Sequence, residues 1–144
     1  KKGSARWEKQ RLKVAKLHEK TANQRKNFLH HKSKELVTTY DAVVIEDLNM
    51  KGMSQALHFG KSVHDNGWGM FVSFLKYKLE EQGKQLVKID QWFPSTQLCS
   101  SCGDTQPMQM RIRTYSCSCG NEGDRDHNSA INIKMEGLRL LAIA

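Results

Sequence analysis

An α/β fold is predicted for these 144 residues: a long N-terminal helix, a pair of parallel strands, and an inserted cluster of four cysteines. Three observations carry this. Residues 5–39 are rich in helix formers, and neither Pro nor Gly occurs between Ser4 and Lys51. Two short apolar runs, YDAVVIED at 40–47 and KQLVKID at 84–90, flank a segment with helical periodicity, FVSFLKYKLEEQG. Cys99, Cys102, Cys117 and Cys119 then crowd into a short stretch.

On the first helix, or two in tandem, Trp7, Val14 and Phe28 recur at multiples of seven, as do Ala22, Leu29 and Leu36, so two apolar stripes lie side by side. One face packs and the other meets solvent or nucleic acid. The β-branched run at 40–47, bounded by acids, reads as a strand buried on both faces. Residues 48–69 have scattered Gly and no steady period, as in a loop that holds at most a short helix. In the next helix Phe71, Phe74, Leu75 and Leu79 share a face and Gly83 stands where a helix ends. Strand, helix and strand joined in this order give a crossover with parallel strands. Both strands end in acids, and ligands of open α/β sheets sit beyond the carboxyl ends of strands, where Glu46 and Asp90 fall. After the cysteines, a last helix has Ala130, Ile131, Met135 and Leu138 on one face. There is no internal repeat.

The length suits a single core with a small metal-stapled insert and excludes two large domains. No apolar run approaches the length that crosses a bilayer, and KKGSARWEKQRLK is too polar for a secretory signal, so a cytoplasmic protein is expected. The net charge of +8 is uneven: residues 1–34 hold twelve Lys and Arg against Glu8 and Glu19, a balance of +10, leaving 8 − 10 = −2 for the rest. A basic segment beside a nearly neutral body suits a polyanion, whose phosphates release counterions when neutralised. The candidate contacts are Arg6, Lys9, Lys13, Lys16, Lys20, Arg25 and Lys26, with a solvated helix face as the plainer reading.

Cys99 and Cys102 are separated by two residues, and fourteen more lead to Cys117 and Cys119. Two close pairs of thiolates on tight turns can meet tetrahedrally around one zinc ion, while two disulfides are the lesser reading in a reducing compartment. Gly103 and Gly120 each follow the second cysteine of a pair, where the chain must turn back sharply. The segment MQMRIRTYS between the pairs alternates enough to supply the strands of a ribbon. The second pair is Cys-x-Cys, tighter than the usual Cys-x-x-Cys, which strains one knuckle without removing a ligand. Four thiolates leave no open position, so the metal is structural.

Glu46 ends a strand, and Asp124 and Asp126 stand at the entrance to the last helix. Carboxylates from a strand end and a helix start can hold two divalent metals, magnesium or manganese, for phosphodiester hydrolysis. For Asp124 and Asp126 the alternative is helix capping, and for Glu46 plain solvent exposure.

The runs VVIEDLNMKGM, VKIDQWFPSTQLCSSCG and YSCSCGNEGDRDHNSAINI, with the upstream segment KLHEKTANQRKNFLHHKSKELVTTYD, resemble in order and spacing the C-terminal half of TnpB (OrfB) proteins of insertion sequences. Compact type V CRISPR effectors share the arrangement. The resemblance covers nearly the whole chain. It implies a partial RNase H-like (RuvC) fold, with 1–93 as the RuvC-like part, 94–122 as an inserted zinc ribbon and 123–144 as the closing helix with the third acidic motif. By the same resemblance Glu46 falls on the second acidic motif, Asp126 on the third with Asn128 two residues on, and the four cysteines on the zinc ligands. It implies cleavage of DNA under a guide RNA, with the protein handling backbone and heteroduplex shape. The family's first catalytic Asp and N-terminal strands precede the long helix and are absent here, as are the guide-binding parts. The chain alone is therefore expected not to cleave DNA, and to need that N-terminal portion or a second chain.

Two competing functions stand beside this one: a nuclease-inactive nucleic-acid-binding module or transposon remnant, and a purely structural role for ribbon and helix. Trp92 and Phe93 suit a core or hinge position better than base stacking. His127 either assists proton transfer, orients Asp126 or is idle, and His18, His30 and His31 are expected at the surface.

Overall fold

The computed structural model describes residues 1–50, 52, 67–109 and 111–143. It divides into two units: Lys1–Asp41 with Met53–Lys84, and Ala42–Gly52 with Gln85–Ala144.

The first unit pairs two helices. Helix α1 runs Ala5–Thr39 without interruption, begun by Ser4, whose hydroxyl accepts the Trp7 N–H at 3.3 Å. It stops where Thr38 and Thr39 turn their hydroxyls back onto the carbonyls of Lys34 and Glu35 and Tyr40 becomes extended. Helix α2, Trp68–Glu81, ends in a Schellman motif: the Gly83 N–H bonds the Glu80 carbonyl and the Lys84 N–H that of Leu79, with Gly83 at φ 64°. Leu29, Ser33 and Val37 of α1 are buried, and so are Leu75 and Leu79 of α2, the spacing expected of packed helices. Lys78 and Lys84 reach into α1: the Lys78 ammonium donates to the His30 carbonyl (2.7 Å) and the Ser33 hydroxyl (2.6 Å), and Lys84 to the Val37 carbonyl (2.6 Å). Burial, with the charge of Lys34, lowers the Lys78 pKa. His30 stacks on Phe74 at 3.8 Å, so it is not the free surface group expected of it.

Of the two apolar stripes foreseen on α1, only the lower end of one is covered. Leu29 is buried and Leu36 half-buried, but Trp7, Val14 and Phe28 are exposed. The physical reason is length: α2 has 14 residues against 35 in α1.

The second unit holds β1 (Ala42–Glu46) and β2 (Gln85–Ile89), paired parallel as expected, with Glu46 opposite Ile89. A small antiparallel pair, β3 (Thr114–Ser116) and β4 (Glu122–Asp124), precedes α3 (Arg125–Ile143). The ribbon strands therefore differ from expectation: among the described residues of MQMRIRTYS only Thr114–Ser116 form a strand, and the Ile112 N–H donates to the Gln109 carbonyl rather than to a partner strand. The loop 48–69 falls largely outside the described residues. No described helix is long and apolar enough to cross a membrane.

The buried face of α3 is not the predicted one. Met135 and Leu138 are exposed, whereas Asn128, Ser129, Asn132 and Gly137 are buried. Gly137 lies so close to β1 that a Cβ there would overlap both γ-carbons of Val44. The helix turns small and polar residues inward because it packs on a strand at close range and on a loop whose carbonyls need donors.

Candidate functional site

The four cysteine sulfurs lie within 4.8 Å of one another. Cys99 and Cys119 are 3.7 Å apart, Cys102 and Cys117 3.6 Å. All four are free thiols, which disposes of the disulfide reading. Ligands bonded at about 2.3 Å to one tetrahedral ion stand about 3.8 Å from each other, so the two close pairs already match a single metal and the wider separations, up to 4.8 Å, close by at most about 1 Å.

Each knuckle is a turn closed by backbone bonds. In the first, the Cys99 N–H reaches the Asp104 carbonyl (2.8 Å) and the Gly103 N–H returns to the Cys99 carbonyl (2.9 Å). In the second, the Cys117 N–H reaches the Asn121 carbonyl (2.9 Å) and the Gly120 N–H returns to that of Cys117 (3.0 Å). The second turn is one residue shorter throughout, which is how Cys-x-Cys delivers the same two sulfurs. Gly103 and Gly120 have φ of 80° and 89° with open space around them, so backbone conformation alone calls for glycine.

Four thiols this close cannot all ionise unaided. Burial opposes ionisation of Cys99, but the N–H groups of Cys102 and Ser101 and the Asn121 amide outweigh it and hold its pKa at about 6. The Asp104 N–H favours the Cys102 thiolate, yet burial and the thiols of Cys99, Cys119 and Cys117 push it up to about 12. A divalent cation removes that conflict.

Helix α3 anchors the first knuckle. The Asn132 amide donates to the carbonyls of Ser95 (2.9 Å) and Leu98 (2.7 Å). Asn128 donates to Leu98 (2.8 Å) and accepts the Ser100 N–H (3.0 Å). Asn121 lies between, 3.4 Å from the Asn128 oxygen and 3.5 Å from the Cys99 sulfur. Tyr115, fully buried, donates to the Gln97 carbonyl.

The acids are held differently. Glu46, at the carboxyl end of β1, accepts the Ser95 hydroxyl at 2.6 Å, so it joins the loop that Asn132 pins. Asp124 caps α3, its carboxylate accepting the His127 N–H at 2.8 Å. Asp126 is 64% exposed and faces two guanidinium groups, Arg113 at 3.4 Å and Arg125 at 3.1 Å. Asp90 folds back to accept the Trp92 N–H at 2.6 Å. Among the described residues, no group of three acids or histidines forms a cluster of ligand spacing. Glu46 and Asp126 thus belong to one unit, linked through Ser95 and Asn132 rather than by direct contact.

Arg6, Lys9, Lys13, Lys16 and Lys20 fall within about 80° of the α1 circumference, on the side opposite Leu29, Ser33 and Val37. All five are exposed. Arg25 and Lys26 project from other sectors, and Arg25 is half-buried. The sequence reading missed Ser95, Asn121, Asn132, Arg113 and Arg125. Asn at helix positions four apart, unfavourable for a helix, was the available signal for Asn128 and Asn132. Trp92, expected in a core or hinge, is 82% exposed because the Asp90 turn lifts it outward.

Fold and site together define an α/β protein with a closed four-thiol centre fastened to its last helix. Residues 1–57 match the family model OrfB_IS605, described as "Probable transposase", and residues 68–133 match the Cas12f1-like TNB domain. The chain is 40% identical over 138 residues to a "Putative RNA-guided DNA endonuclease" of Streptomyces pristinaespiralis, across 95% of this chain and 34% of that protein. It is 31% identical over 143 residues to the "TnpB-like protein L79" of Acanthamoeba polyphaga mimivirus, across 94% and 27%. A solved structure, the Cas12f1–sgRNA–target DNA complex, shares the fold at a TM-score of 0.65 and 19% identity, over 83% of this chain and 36% of that one. The chain belongs to the TnpB (OrfB) family. It spans about a third of the length of the relatives and the structure it matches.

Proposed function

We propose that this chain is the C-terminal portion of an RNA-guided DNA endonuclease with a RuvC-type, RNase H-like fold. On this reading 1–93 belong to the RuvC-like part, 94–122 form a zinc ribbon, and 123–144 close the domain. The observation that carries it is the position of Glu46, at the carboxyl end of a parallel strand and hydrogen-bonded to the loop that α3 holds. Family membership adds weight, since relatives are named as guided endonucleases.

Glu46 and Asp126 would hold magnesium or manganese, with Asp124 a weaker candidate because its carboxylate already caps α3. Bound there, a pair of ions would align the attacking water and neutralise the leaving oxygen. Ser95 orients one Glu46 oxygen, and Arg113 and Arg125 lie against the Asp126 carboxylate at 3.4 and 3.1 Å and hold it in place. Four thiolates favour zinc at the cysteine centre, in a structural role. Guide RNA and DNA are the proposed partners, with the α1 stripe on a phosphate backbone.

Magnesium-dependent cleavage of single-stranded DNA tests this. The chain alone leaves DNA intact. Supplied with the family's preceding portion it cuts, and Glu46→Gln or Asp126→Asn each abolishes cutting. Binding retained with no cleavage under any complementation selects the nuclease-inactive module instead, a reading the basic stripe of α1 favours.

A further inference from the structure

Trp92 is an anomaly for a core residue. A tryptophan carries a large apolar surface, and leaving it in water forgoes more than any other side chain would. Here it is 82% exposed. Its backbone, in contrast, is fixed. Its N–H bonds the Asp90 carboxylate (2.6 Å), the Phe93 N–H bonds the Asp90 carbonyl (3.1 Å), and the Ser95 N–H bonds the Phe93 carbonyl (2.7 Å). A rigid turn that displays an indole loses little entropy when the indole is covered.

The surroundings say what covers it. Its neighbour Gln91 lines a groove of about 630 Å³ with Asp47, Leu48, Lys88, Asp90 and Leu140. The cation among these, Lys88, is already paired with Asp47 at 2.7 Å. With Glu46 beyond, the charge here is acidic, so a strand crossing this end of the sheet would gain little from its phosphates and more from its bases. An exposed aromatic plane is the sequence-tolerant handle for an unpaired base.

We propose that Trp92 is a positioning residue that stacks an unpaired nucleobase and sets a single strand in register with Glu46, an inference that rests on the nucleic-acid reading above. It does not touch the reacting atoms. The same loop orients Glu46 through Ser95, so platform and carboxylate are joined by one hydrogen bond.

The test uses the chain with Trp7→Phe and Trp68→Phe, which leaves Trp92 as the one tryptophan of three. Oligo-dT is titrated at a salt concentration that screens phosphate contacts, with binding followed by anisotropy of a labelled strand and stacking by tryptophan quenching. Quenching that saturates with binding is expected. In the otherwise native chain, Trp92→Ala weakens oligo-dT binding roughly tenfold, as loss of one stacked base should, Trp92→Phe stays within about threefold of the native value, and duplex binding does not change. Binding without quenching, no binding of oligo-dT, equal affinity in Trp92→Ala, or a Phe variant as weak as the Ala variant would each overturn the proposal. Quenching that persists while no cleavage appears even with the family's preceding portion supplied refutes the nuclease reading and leaves this one standing.

Discussion

Both hydrogens of the Asn132 amide are used on carbonyls of the loop that carries Glu46's partner Ser95 and leads into the first knuckle. Truncation at this residue takes the amide donor from the carbonyl of buried Ser95, at a cost of about 1–3 kcal/mol, while the Leu98 carbonyl keeps the Asn128 amide. Asn132→Ala is therefore expected to lower the denaturation midpoint of the protein and, by loosening the loop before Cys99, to speed metal loss to a chelator by about tenfold. Unchanged chelation kinetics would place the amide's role in folding alone. At this scale the sequence was partly legible. Cysteine spacing reported its own chemistry, and the four sulfurs converge as foreseen. The asparagines did not, because their partners are backbone carbonyls some thirty residues away, and no side-chain pattern records those.

Element by element, α1, β1, α2 and β2 fall where the helix formers, the apolar runs and the Gly83 stop place them, although burial on α1 is confined to its end from Leu29 to Val37. Helix α3 departs from it. Periodicity favours a Met135 and Leu138 face, but close approach to Val44 selects Gly137, and that contact is invisible without the fold. Gly137→Ala should destabilise the protein by about 1–2 kcal/mol, overpacking against Val44 outweighing the gain in helix propensity. Gly69→Ala, in α2 with nothing near its missing Cβ, should be neutral or mildly stabilising. Thermal melts of the two variants separate the cases. On α1, replacing Lys9, Lys13 and Lys16 by Ala should weaken duplex binding whatever its sequence and reduce the salt slope by about 0.9 for each phosphate left without its lysine. Lys26→Ala, outside the stripe, should change the slope far less.

At the scale of the whole molecule, the chain holds an α/β unit with a thiol centre and a two-helix unit with a basic stripe, in about a third of the length of its relatives. The family was readable because several motifs occur in the right order. The same resemblance leads to the proposal that Glu46 and Asp126 share ions, and the link the structure adds between them runs through α3 and the Ser95 loop, which no local pattern records. Crystals of the chain soaked in manganese, measured at the zinc and manganese absorption edges, test that proposal most directly. A zinc peak is expected at equal distance from Cys99, Cys102, Cys117 and Cys119, with manganese density in contact with both Glu46 and Asp126 that disappears in Glu46→Gln. Manganese bound at only one of these acids, or undisturbed by that substitution, would contradict the proposal.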